Sequence, residues 1–384
     1  GGCNYNGIVY GNSTVILKNG SSKDVFGGGQ GELTYVKGNV LVEVGEEGGT
    51  KDGLTINGDV YGGSAKGHVN ALPNTAQSAT LPIIPQTTAT TTVNLLSGLI
   101  KGDAYGGGLG QKDGFNGASA DVPAYVGGDI FVNLNGTAFD IDYTEEDGSD
   151  GKIVKSGRVF GTNNLCGSPQ GDVTVTVNKT TEGNTSKSGT ADKTNENATF
   201  HVAAVYGGGN LADYTTTGKK ASVIINGCQE SSIRYVYGGG NAAAVPATDV
   251  QINGAYEIEY VFGGGNGKDK YKNDSGWQTN PGANVNGNTT TMLKGGVIHE
   301  AYGGSNEKGR ISGSVSINTG TIEGCTLDLA KIYGAGKNAD IDGDLIVTLG
   351  CMPGDENPTG EVYGGAENAN VKGNVELTIT SGSF

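Results

Sequence analysis

The hexapeptide "VYGGGN" stands at 205–210 and again at 236–241, and "VFGGGN" follows at 261–266. Three physical readings compete for it: a phosphate-cradling loop, a calcium-binding repeat, or the corner of a stacked scaffold. A phosphate loop needs its glycines to open onto a helix, with Lys-Ser/Thr or a βαβ unit beside them. Here alternating β-branched segments follow instead. Calcium nonapeptides carry aspartate inside the glycine run and recur every nine residues or so. This chain has asparagine there, and its period is about three times longer. The corner reading is the one left.

Working outward, an aromatic residue followed by glycine occurs eleven times, at Tyr10, Phe26, Tyr61, Tyr105, Phe160, Tyr206, Tyr237, Phe262, Tyr302, Tyr333 and Tyr363. The basic interval is about 25–31 residues, and longer intervals carry insertions. Downstream of the aromatic comes strict alternation, as in "GDVTVTVN" (171–178), "SGSVSINTG" (312–320) and "KGNVELTIT" (372–380). That is the pattern of a half-buried strand, with no helical period to rival it. Two or three short strands per unit bury a face only when the next unit stacks on top. The expectation is an all-β, right-handed parallel β-helix (a β-solenoid) of about eleven coils with loop insertions, in a single domain over 1–384 cut from a longer repeat protein.

In such a stack every repeat position becomes a column. The aromatic column, including Tyr206, Tyr237, Phe262, Tyr302, Tyr333 and Tyr363, mixes Tyr with Phe, so stacked ring faces are its requirement. Asn164, Asn210, Asn241, Asn266 and Asn306 stand four residues after their aromatic and are expected to hydrogen-bond amide to amide. Asn338 and Asn368 stand five after, which implies an extra residue in the last two turns. The glycines are expected to supply positive φ and a sharp corner where a side chain would collide with the coil above, and Asn to tolerate the same conformation. A second column of Gly followed by Asp or Asn (Asn39, Asp59, Asp103, Asp129, Asp172, Asp344, Asn374) is expected to satisfy turn amides before the alternating strand.

Composition limits function. With 71 glycines and a net charge of −15, the chain repels phosphate backbones, so nucleic acid is not an expected partner. No apolar run is long enough for a spanning helix, and any export signal is expected outside this chain. The five cysteines, Cys3, Cys166, Cys228, Cys325 and Cys351, show no metal spacing and read as isolated thiols, with an adjacent-coil disulfide as the alternative. The three arginines and three histidines stand beside no acidic constellation recurring on a strand, so no catalytic residue is assigned. No cofactor or metal is expected beyond incidental calcium in the acidic stretch 140–151.

Function on a solenoid is expected in its insertions. These are 64–92, 137–157, 180–199 and 267–286. The last holds the only tryptophan, Trp277, near Tyr271, Lys272 and Asp274, a set suited to stacking on a sugar or anchoring a protein.

The "VYGGGN" corners and "GNV-x-V-x-I" strands resemble repeat-rich secreted or surface β-helix proteins of bacteria, such as the adhesin-like proteins of gut Bacteroidetes. "YGGAEN" (363–368) and "YGGSN" (302–306) are more loosely similar to polymorphic outer-membrane and autotransporter passenger repeats. The resemblance implies export to the cell surface or medium and an adhesive or scaffolding role, with a glycan or host protein as partner. The competing expectation is a polysaccharide lyase or glycosidase, which would place two or three carboxylates on one open face.

Overall fold

The computed structural model describes residues 1–76, 78–145, 152–180, 200–350 and 360–380. No helix occurs among them, and parallel sheets run the length of the stack. The chain is a parallel β-helix with three walls.

The widest wall is an eleven-stranded parallel sheet from Ser13–Leu17 to Val375–Ile379, built from the alternating segments. Val173–Lys179 shows why they form it: Val173, Val175 and Val177 are buried while Thr174 and Thr176 face outward. The second wall is a ten-stranded parallel sheet whose strands end on the aromatics. In the first windings a four-stranded sheet (Gly20–Ser22, Leu54–Ile56, Leu99–Ile100, Ala138–Phe139) precedes it, whereas later windings merge both into one strand such as Gly296–Tyr302. The third wall is narrow. It consists of Asn6–Val9, Leu33–Val36 and His68–Val69, then single bridges Val69–Val126–Pro169 and Val245–Val285–Ile311–Ile341–Val371.

Aliphatic side chains from all three walls fill the interior, with Val236, Val261 and Ile332 fully buried just before their aromatics. The rings form a separate buried cluster on the opposite pleat. Ten of them, Phe26 to Tyr363, stack one per winding with centroids 4.6–5.1 Å apart and planes within 2–11° of parallel. Tyr10 is not among them. It is 70% exposed and follows the third-wall strand Asn6–Val9, where its winding neighbour is Lys37.

The asparagine ladder forms as expected. Asn210 donates to Asn164 (2.9 Å), Asn241 to Asn210 (2.9 Å), Asn266 to Asn241 (2.8 Å) and Asn306 to Asn266 (2.9 Å). The last two turns, however, hold no extra residue. The Lys337 amide donates to Ser305 as the Asn306 amide donates to Gly265, so Lys337, and likewise Glu367, takes the ladder position. Asn338 and Asn368 stand one step further on.

The corner glycines meet one of the two expectations and not the other, since none of the first glycines after the rings has positive φ, and neither does any ladder asparagine. Close approach is what excludes a side chain. A Cβ on Gly207, Gly238 or Gly263 would lie 2.2–2.3 Å from the carbonyl oxygen of the equivalent glycine one winding on. The Gly-Asp/Asn column proves to be two. Asn39, Asp129, Asp172 and Asp344 accept the amide of the next winding at the entry to the widest sheet, while Asp59 and Asp103 do so at the entry to the ring-bearing strands.

Cys228 and Cys325 are joined, 97 residues apart with Cα atoms at 5.8 Å, which corrects the reading of isolated thiols and of an adjacent-coil bond. The turn after Val315–Thr319 folds back across two intervening windings. Only glycine leaves room: a Cβ on Gly254 or Gly295 would lie 2.8 Å from the Cys325 sulfur. Cys3 and Cys166 are free, and Cys351 lies outside the described residues.

Candidate functional site

The insertions are more ordered than their composition implied. Segment 64–92 supplies the third-wall strand His68–Val69 and an antiparallel hairpin, Ala71–Pro73 with Ile83–Pro85. Segment 137–157 contributes Ala138–Phe139 to a wall and a hairpin, Tyr143–Glu145 with Lys152–Val154. Residues 181–199, and 146–151 of the acidic stretch proposed for calcium, lie outside the described residues. Among the described residues no group of three or more His, Cys, Asp or Glu side chains gathers as a metal site. No helix among the described residues is long and apolar enough to cross a membrane.

Segment 267–286 forms the hairpin Tyr271–Asn273 with Gly276–Gln278, in which Lys272 lies opposite Trp277. It does not stand alone. A second insertion after Tyr105, closed by the Gln111–Val122 bridge, meets it. Phe115 stacks on Tyr271 with centroids 5.9 Å apart; the Gly117 amide donates to the Asp274 carboxylate (2.8 Å), and the Asp274 amide to the Gly114 carbonyl (2.8 Å). Tyr271 and Asp274 thus hold the two hairpins together, while Lys272 is exposed and Trp277 half-buried. The Gln111–Val122 insertion was hidden in sequence as one of the longer repeat intervals. On its flank lies a cleft of about 1110 Å³ bordered by Lys23, Lys66, Lys112 and Phe115.

A second feature runs beside the ring column. The residues two before each ring share its pleat and register as a row: Asp24, Asp59, Asp103, Arg158, Ala204, Tyr235, Tyr260, Glu300, Lys331, Glu361. Ring hydroxyls bond to this row (Tyr105 to Asp103, Tyr363 to Glu361), to the ladder (Tyr206 and Tyr237 with Asn266), or to both. Tyr61, for instance, donates to Asp59 (2.8 Å) and accepts from Asn164 (2.8 Å). Burial, with Asp103 and Asp24 close by, pushes the Asp59 carboxyl up to about 6. Asp103 is instead paired with the buried Arg158 guanidinium at 2.7 Å. Stacking also brings Arg234 to Glu259 (2.6 Å) and Arg310 to Asp342, so every arginine meets a carboxylate one winding away that sequence proximity did not reveal.

Toward the other end, Tyr302 donates to Glu300 (2.7 Å) and also meets Glu367, with Lys337 within 3.9 Å of both carboxylates and over the Tyr260 ring at 5.0 Å. Glu367, at the ladder position four residues after Tyr363, was not read as part of the ladder because it is not an asparagine. Glu300, Tyr235 and Tyr260 escaped sequence reading because their row is chemically mixed. Counting two residues back from each aromatic would have found them.

No protein-family model matches this chain, and neither a curated protein nor a solved structure matches it.

Proposed function

We propose that the chain is a secreted or cell-surface module of structural, adhesin-like type, in which a rigid rod holds inserted loops in fixed positions to bind a glycan or a protein of another surface. The observation that carries the reading is the docking of two hairpins whose contact residues, Gly117 and Asp274, stand 157 positions apart. Such docking fixes the loop geometry before any ligand arrives, and pre-organisation lowers the entropic cost of binding. The Cys228–Cys325 bond favours an oxidising compartment, in keeping with export.

The enzyme reading has one observation in its favour, the convergence of Glu300 and Glu367 beside Lys337. Against it, the Tyr302 hydroxyl sits between the two carboxylates, where a substrate carbon or an attacking water would have to stand. Probing an array of long glycans and a panel of surface proteins with wild type and Trp277→Ala tests the binding reading. The expected result is at least a five-fold loss on substitution; unchanged binding removes Trp277 from the site. Incubation with polysaccharides is expected to release no new reducing or unsaturated ends, and their release would favour the enzyme.

A further inference from the structure

The third wall carries its own row of rings. Tyr35, His68 and Tyr125, each one residue before a wall position, follow one another with centroids 5.1 and 5.6 Å apart and planes tilted by 49° and 33°. The hairpin Ala71–Pro73/Ile83–Pro85 covers them, burying Ala71 and Ile83 against Tyr35 with Leu81 and Tyr125 packed alongside. One winding further the Val126–Pro169 bridge sets Ser168 where a fourth ring would stand. The row stops there, and a cleft of about 580 Å³ opens, bordered by Tyr125, Ser168, Leu81, Leu165, Lys112 and Asp213.

The far bank is held in place. The Thr215 amide donates to the Ser168 hydroxyl (3.1 Å), the Thr216 hydroxyl to the Pro169 carbonyl (2.6 Å), and Tyr214 between them and the core is fully buried. The slot is therefore built into the fold. Its chemistry is a half-exposed aromatic ring, leucine sides, and a rim with one ammonium and two carboxylates, Asp121 and Asp213.

We propose that this cleft takes one neutral pyranose unit of a glycan, packed against Tyr125 in the place of the missing ring. The inference rests on the reading of the chain as a glycan-binding module, and it names a site separate from Trp277. A pyranose presents a C–H face that suits an aromatic ring and a rim of hydroxyls that suits mixed donors and acceptors. The chain's net charge of −15 and the two carboxylates on the rim disfavour an acidic sugar.

The test uses short probes, a panel of neutral and uronic disaccharides, followed by calorimetry and saturation-transfer NMR on the full chain. A neutral disaccharide is expected to bind. Tyr125→Ala should weaken it at least ten-fold and Tyr125→Phe less than two-fold, because the ring and not the hydroxyl is used. Ser168→Phe, which fills the slot, should abolish binding. Lys112→Ala, on the rim and away from the packed row, should cost a few-fold and serves if the Tyr125→Ala chain does not fold. Trp277→Ala should leave these probes unaffected. Binding that survives Tyr125→Ala and Ser168→Phe overturns the cleft, and binding lost only in Trp277→Ala overturns it while upholding the hairpin site. Preference for uronic probes, or capture of a protein with no disaccharide bound, overturns the ligand class.

Discussion

The ring column on the ten-stranded wall and the short ring row on the third wall both climb one ring per winding, but the column's planes lie within 11° of parallel whereas the short row's are tilted by 33–49°. The column continues through ten windings, sheltered between a polar row and an asparagine ladder, and its middle members are almost wholly buried. The short row has three members and ends where serine replaces a ring. Uninterrupted repetition makes scaffold; interruption leaves a cleft. The comparison can be broken or sharpened at several points.

The largest effect is expected at the corner below the column. A Cβ on Gly238 would lie 2.2 Å from the Gly263 carbonyl oxygen and 2.9 Å from the Thr248 Cβ, whereas on Gly365 it would meet nothing within 4 Å. Gly238→Ala should cost about 4 kcal/mol or more in chemical denaturation and Gly365→Ala less than about 0.5 kcal/mol. Equal effects would refute close approach as the reason for the glycines. Next, Tyr237→Ala should cost about 3–4 kcal/mol, while Tyr125→Ala at the open end of the short row should cost about 1–2 kcal/mol. A reversed order would mean that the column is not the main support.

The disulfide touches neither row, so Cys325→Ser should lower stability by about 2–3 kcal/mol by removing a constraint on the unfolded chain. The same loss should appear in wild type treated with reductant, and none in the variant. The smallest effects depend on pH and have opposite signs in the two rows. Burial among Tyr35, Tyr125 and the covering hairpin lowers His68 to about 4. Its contribution is therefore present above pH 6.5 and lost as the pH falls toward 4, by about 2 kcal/mol. Asp59 beside the column is raised to about 6, so its contribution is present below pH 4 and lost as the pH rises through 6. Melting curves from pH 4 to 7 should show His68→Phe removing the acid-side loss and Asp59→Asn the neutral-side loss. Parallel profiles for both variants would contradict these environments.

Much of the fold was legible because a parallel stack turns sequence period into spatial columns. Once "VYGGGN" is placed at a corner, Tyr206, Tyr237 and Phe262 must overlie one another, and so must Asn210, Asn241 and Asn266. Legibility ended where one position carried different chemistry on each winding. The row Asp103, Arg158, Ala204, Tyr235, Tyr260, Glu300 has no residue type to repeat, so only its spacing from the rings, and nothing in its chemistry, pointed to it or to its ion pairs. Tyr10 shows the opposite failure, a matching dipeptide that belongs to a different wall. The Phe115–Tyr271 contact and the Cys228–Cys325 bond were invisible for a third reason: both cross several windings through turns whose course no period describes.

By itself the sequence determined the strands, their stacking and the identity of the repeating columns, since alternation and glycine spacing act locally and are copied from turn to turn. Only the tertiary structure decided which irregular side chains meet: the carboxylates found by each arginine, the two hairpins that clasp, and the slot above Ser168. Those meetings depend on how far each excursion climbs along the rod and folds back, a quantity set by packing across windings and not by any residue's neighbours in the chain.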